Sequence, residues 1–115
     1  MVNTSVEDPA VLDRMYAALA DPTRRALLVA LRQGDARITD LAQSAPMTFA
    51  GVSRHVAVLE NAGLIQREIR GREHWLSVRT DGLRAAETWI HEQASFWSTR
   101  ADALAEHLAR QRRTQ

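Results

Sequence analysis

Apolar residues recur first at helical spacing, then at every second position, then at helical spacing again to the end of the chain. Leu12, Met15, Tyr16 and Leu19 stand at i, i+3, i+4 and i+7, which predicts a helix. It opens at Asp8-Pro9, where the aspartate can cap the first turn and proline suits the first helical position. Asp21-Pro22 repeats that signature before a second helix with Leu27, Leu28 and Leu31 inward, ending at Gly34 as a left-handed terminator. A short helix over 39–44 turns Leu41 and Ala42 inward and stops before Pro46. Thr48 then caps a helix that runs to Asn61 and is closed by Gly63, with Val52, Val56 and Leu59 as its buried stripe.

The spacing then changes. Residues 64–69 and 74–79 alternate closely enough to predict two strands, joined by Arg70-Gly71-Arg72-Glu73 as a hairpin tip with both arginines in solvent. Trp75 is expected to pack the hairpin against the helices. After Gly82 the chain has neither Gly nor Pro, and Leu83, Ala86, Ile90, Ala94, Trp97, Ala101, Leu104 and Leu108 form one seam at steps of three or four. Such a seam is about 38 Å long, whereas a domain of this size has a radius of gyration of only about 13 Å. One protomer cannot cover it, so a second copy of the chain is expected there. Leu83, Ile90, Trp97, Leu104 and Leu108 are the predicted dimerisation residues, with Trp89 and Phe96 widening the apolar area. Ser and Thr over 95–99 are weak helix formers, which leaves one helix or a helix pair open.

The predicted fold is therefore mainly α with a small β-hairpin: a winged helix-turn-helix with a long C-terminal dimerisation helix or helix pair. The whole chain, 1–115, reads as a single domain, with 1–7 frayed, 36–80 as helix-turn-helix plus wing, and 82–111 as the dimerisation region. In such an order the second helix of the pair docks in the major groove of duplex DNA, and the wing can reach the minor groove or the phosphates. The helix after Thr48 suits that task. Its outer side holds Ala50, Ser53, Arg54, Ala57 and Asn61, small and polar with one long cation, where an ordinary solvated face would be crowded with charge.

Composition narrows the chemistry. With 45% hydrophobic and 25% charged residues the chain is globular, and with no cysteine it has no disulfide, thiolate metal site, iron–sulfur cluster or cysteine nucleophile. No apolar run approaches a membrane span, and the acidic start lacks a secretory signal's basic residues, so a soluble cytoplasmic protein is expected. Net charge is only +1, yet all 15 basic residues are arginine. Codon usage in a GC-rich genome accounts for that; arginine also binds phosphate and guanine bidentately. Residues 1–22 carry a net −3, residues 23–80 a net +4, and the remainder balances, so the basic surplus coincides with the helix-turn-helix and wing.

Three stretches carry a family resemblance. Leu19-Ala20-Asp21-Pro22-Thr23-Arg24 through Leu31, then Ile38-Thr39-Asp40-Leu41-Ala42, then Val52-Ser53-Arg54-His55 running on through Leu59-Glu60-Asn61-Ala62-Gly63-Leu64-Ile65 resemble the ArsR-type winged helix-turn-helix regulators. Arg70-Gly71-Arg72-Glu73 and Asp81-Gly82-Leu83 match as well, and the tail with Trp89, Phe96, Trp97 and Leu104 resembles a cysteine-free branch. The resemblance implies a homodimeric transcriptional repressor on an inverted-repeat operator. It assigns DNA contact to Thr48, Phe49, Ser53, Arg54 and His55 on the recognition helix and to Arg72 at the wing tip, and the hairpin's own geometry adds Arg70 as a second wing contact. Phe49-Ala50-Gly51 departs from the polar residues usual there; Phe49 either meets a thymine methyl or turns into the core.

Other chemistries fit less well. The family's thiolate metal site would need cysteine near Asp40 to Ala42. His91, Glu92, Asp102, Glu106 and His107 could meet only across an antiparallel dimer, and solvated histidines are the default, so neither a metal nor a cofactor is expected. In His91-Glu92-Gln93-Ala94-Ser95 a serine replaces the second histidine of a zinc-protease motif, and no catalytic constellation appears. Trp89 and Trp97 could wall a pocket for a small-molecule effector at the dimer interface, with plain dimer core as the simpler reading. Arg24 and Arg25 are expected to be structural or solvated. A winged-helix protein-interaction module without DNA binding is the alternative from another class.

Overall fold

The computed structural model describes residues 8–114, so the expected fraying over 1–7 lies outside the described residues. α1 (Pro9–Leu19) and α2 (Pro22–Ala30) begin as expected: Asp8 accepts a hydrogen bond from the Ala10 amide and Asp21 from the Arg24 amide. The most buried line of α1 is Val11, Met15 and Ala18, which keeps Met15 of the expected stripe and leaves Leu12, Tyr16 and Leu19 packed along its rim. A 3-10 turn (Leu31–Gln33) tightens the end of α2, and Gly34 follows with φ +122° and ψ 178°. That is positive φ with an extended ψ, not the left-handed helical terminator expected.

β1 (Ala36–Arg37) leads straight into α3 (Ile38–Ser44), and a tight turn through Pro46 leads to α4 (Phe49–Asn61). Thr48 caps α4 by accepting from the Gly51 amide at 3.1 Å, and Val52, Val56 and Leu59 are fully buried. α4 ends in a Schellman motif: the Leu64 amide donates to the Leu59 carbonyl, the Gly63 amide to the Glu60 carbonyl, and Gly63 takes φ +75°.

β2 (Ile65–Arg70) and β3 (Glu73–Val78) pair antiparallel, with Arg70 opposite Glu73, so the turn is only Gly71-Arg72. Gly71 sits at φ +64°, the requirement of a type II′ turn at its first central residue. The sheet has three strands, ordered β1-β3-β2, and not the hairpin alone. β1 is too short to show alternation; its pairing with Leu76 and Trp75 creates it.

α5 (Thr80–Arg113) is one helix of 34 residues, unbroken through 95–99, and not a helix pair. Its first turns belong to the core. Ala86 is buried, the Tyr16 hydroxyl donates to the Ala86 carbonyl at 2.7 Å, and Gly82 lies so close to the α4–β2 turn that a Cβ there would fall onto the Gly63 carbonyl oxygen. Burial raises the Tyr16 hydroxyl above the usual phenol range. Leu83, expected in the dimer seam, instead packs against its own protomer's core. Beyond Ala86 the helix leaves the core, which gives the protomer a 75 Å long axis and a radius of gyration of 20.2 Å.

Candidate nucleic-acid interface

α3 and α4 form the helix-turn-helix, with α4 bound to the body through its buried stripe. Its outer arc carries Phe49, Ala50, Arg54 and Ala57 exposed and Ser53 half-buried. Arg54 has no ion-pair partner among the described residues, whereas Arg37, Arg67, Arg70 and Arg79 are all paired. An exposed, unpaired guanidinium on a sparsely decorated helix is available to a phosphate or a guanine edge. Thr48 spends its hydroxyl on the helix cap, so it fixes the first turn of α4. Phe49 resolves the choice left by the sequence: it is 52% exposed and takes no part in the core.

His55 lies on the flank toward α2, with Nδ1 3.1 Å from Arg24 Nη1. A guanidinium can only donate, so in this contact Nδ1 accepts and Nε2 is left to face outward as the donor. Arg24 itself donates through Nε to the Ala18 carbonyl at 2.8 Å and through Nη2 to the Ala17 carbonyl at 3.1 Å, closing the end of α1. Arg25 does the same to the Leu19 carbonyl at 2.9 Å. Both arginines are structural, as carbonyl caps. The Arg24 amide, then the Arg24 charge, hold the Asp21 carboxyl below its ordinary range against the opposing effect of burial.

The wing is braced from both sides. Arg67 on β2 donates to Glu60 of α4 at 2.8 Å and to His74 Nδ1 on β3 at 2.9 Å, which ties the hairpin to the recognition helix. On the outer sheet face Arg37 meets Glu73 at 2.6 Å and Asp40 at 3.0 Å. Trp75 lies between arginines, with the Arg70 guanidinium 4.7 Å and that of Arg37 6.0 Å from its ring centroid. This corrects the expectation that Trp75 packs the hairpin against the helices; the next residue along the strand, Leu76, faces the other way and does so, fully buried. Arg70, named with Arg72 as a wing contact, is drawn back by Glu68 at 3.1 Å and by Trp75. Arg72 occupies the turn, exposed and without an ion-pair partner among the described residues. These carboxylates follow their partners: Arg37 holds Glu73, and Arg70 holds Glu68, below the usual glutamate range. Sequence reasoning missed the Glu60–Arg67–His74 and Arg37–Trp75–Arg70 groups because each depends on strand pairing or on contact between separate elements.

On α5 the seam residues Ile90, Trp97, Leu104 and Leu108 are all exposed, as are Trp89 and Phe96. Trp89 stacks at a tilt on Tyr16 at 5.9 Å, and Phe96 meets Trp97 edge-on at 5.1 Å. Among the described residues no three His, Asp or Glu side chains cluster to hold a metal ion, and no helix is long and apolar enough to cross a membrane.

Comparison with known proteins agrees with this geometry. Residues 21–67, from α2 into β2, match the model of the family described as bacterial regulatory protein, arsR family. The chain is 36% identical over 86 residues to the HTH-type transcriptional regulator Rv2034 of Mycobacterium tuberculosis, covering 75% of this chain and 78% of that one. It is similar to the crystal structure of the ArsR family transcriptional regulator RHA00566, with a TM-score of 0.75 and 34% identity over 80% of this chain and 95% of that one. The fold is shared with the homodimeric winged helix-turn-helix DNA-binding domain Mb0332 of Mycobacterium bovis, at a TM-score of 0.60 and 24% identity over 83% and 91% of the two chains. The chain belongs to the ArsR family of bacterial regulatory proteins, winged helix-turn-helix transcriptional regulators rather than enzymes.

Proposed function

We propose that the protein is a homodimeric repressor that occupies an inverted-repeat operator, each α4 entering one major groove and each Arg72 approaching the flanking minor groove or phosphates. The observation that carries the reading is the outer arc of α4: slim, and bearing Arg54 unpaired among the described residues. Ser53 and Arg54 supply base or phosphate contacts, Thr48 fixes the first turn, and His55 offers its Nε2 proton to a phosphate. Arg70 supports the wing from behind through Trp75.

The uncovered seam of α5 supports the dimer. Ile90, Trp97 and Leu104 recur every seven residues, and Ala94, Ala101 and Leu108 form a second series at the same interval. That is the repeat of helices that supercoil together. Large residues in one series and two alanines in the other suit an antiparallel partner, where large side chains face small ones. Two recognition helices joined in this way would address half-sites about 34 Å apart.

The test is selection of bound duplexes from a random pool, followed by gel shifts. A palindromic motif should emerge, and its affinity should fall steeply with salt. Arg54→Ala should lose about 1–3 kcal/mol per half-site if the residue reads a base. Wild-type affinity in that variant removes Arg54 from the site; the absence of any enriched motif overturns the reading.

A further inference from the structure

Phe49 opens α4 and, with Val58 at 39%, is one of two bulky apolar residues that this helix leaves exposed, the more exposed of the two at 52%. Val52, Val56 and Leu59 are fully buried, and Met47, two residues earlier, packs against the core, but Phe49 does not. The local turn explains the split. Met47 folds under the first turn of α4, so that a Cβ on Gly51 would come within 3.4 Å of its sulfur. The Thr48 hydroxyl holds the same turn from the other side. A hydrogen-bonded helical turn therefore aims Phe49 outward, and its placement does not depend on a loose loop.

At about 100° per residue, Phe49 and Arg54 mark the two edges of an arc of about 140°, with Ser53, Ala57 and Ala50 between them and Glu60 and Asn61 at its C-terminal end. The N-terminal turn of a recognition helix is the part that meets base edges. The apolar group that base pairs present in the major groove is the 5-methyl of thymine. A protein-docking hot spot would surround an aromatic anchor with further large apolar surface; on this arc the residue next to Phe49 is Ser53, followed by the small Ala57 and Ala50. We infer that Phe49 reads a thymine methyl in each operator half-site, making it a specificity-determining residue of the interface. The inference rests on the DNA-binding reading above and adds a base identity to it.

Uracil differs from thymine by that methyl alone, which makes the test direct. A duplex selected from a random pool is resynthesised with deoxyuridine at each thymine in turn, and affinity is measured by fluorescence anisotropy. One thymine per half-site should be sensitive, with about a fourfold loss for each methyl removed and about fifteenfold when both half-sites are changed. Phe49→Ala should melt like wild type, bind the thymine duplex more weakly and bring the thymine-to-uracil ratio close to one. Phe49→Leu should keep part of the preference, and Arg54→Ala should weaken both duplexes without altering the ratio. Equal affinity of the wild type for thymine and uracil at every position overturns the inference while leaving DNA binding intact, as does a ratio unchanged in Phe49→Ala. Failure to retain any duplex overturns both.

Discussion

Up to Ala86 most large apolar side chains find cover within the protomer, with Val29, Phe49, Val58 and Ile69 as the exposed exceptions; beyond it, none of the described residues is buried, although Trp89, Ile90, Phe96, Trp97, Leu104 and Leu108 lie there. Residue types and helical spacing are alike in the two regions, so neither accounts for the difference. Reach does. α5 is about 50 Å long at 1.5 Å per residue, and the α1–α4 body touches only its first turns. The winged region is held by burial, whereas the distal part of α5 keeps its shape through its own backbone hydrogen bonds and local pairs such as Glu106–Arg110 at 3.2 Å. An amphipathic pattern thus reports that a face needs cover and is silent on whether the cover lies in the same chain.

The contrast can be broken most forcefully with one substitution made in both regions. Leu59 is fully buried, so Leu59→Ala should lower protomer stability by about 2–5 kcal/mol. Leu104 is 59% exposed, and Leu104→Ala should leave the urea midpoint unchanged in samples dilute enough to be monomeric. Its effect should appear in the dimer dissociation constant from sedimentation. Equal shifts of the two midpoints under dilute conditions would show that the distal helix is part of one cooperative unit with the wing.

The joint between the regions gives the next effect. Gly82 is where α5 crosses the turn after α4, and an added methyl would meet the Gly63 carbonyl oxygen. Backbone on both sides leaves no flexible side chain to yield, so Gly82→Ala should cost about 1–3 kcal/mol. A thermal melt reads the loss. Wild-type stability would mean that α5 can slide on the body, and the close approach at Gly82 would then be incidental.

Features set by neighbours in the chain were legible in the sequence. The Asp8, Asp21 and Thr48 caps, the Gly63 terminator and the Val52, Val56 and Leu59 stripe each depend on residues a turn or less apart. What depends on distant pairing was not. β1 exists because β3 lies beside it, and alternation along β3 could not say which face would be covered, so Trp75 was assigned to the wrong side. The roles of Arg24 and Arg67 rest on carbonyls and side chains that folding brings to them. At the interface the sequence singled out Arg54 and Arg72, which the structure leaves exposed, but it could not choose a side for Phe49, because that depends on how Met47 packs.

The smallest effect should come from acid, and it belongs to the winged region. Asp21 caps α2 as a carboxylate, and the Arg24 amide at 3.0 Å lowers its pKa below the ordinary aspartate value. A group whose folded pKa is depressed stabilises the fold above its unfolded pKa, about 3.9, and loses that contribution as pH falls through the folded value. Glu68, Glu73 and Asp81 shift in the same direction beside Arg70, Arg37 and Arg79. The urea midpoint should therefore hold near neutrality and fall progressively below about pH 4. Asn is an equally good cap but does not titrate, so Asp21→Asn should match the wild type near pH 7 and lose less on acidification. If the two proteins decline in parallel, the Asp21 cap contributes nothing to acid sensitivity, and the arginine-paired carboxylates of the sheet and of the start of α5 carry all of it.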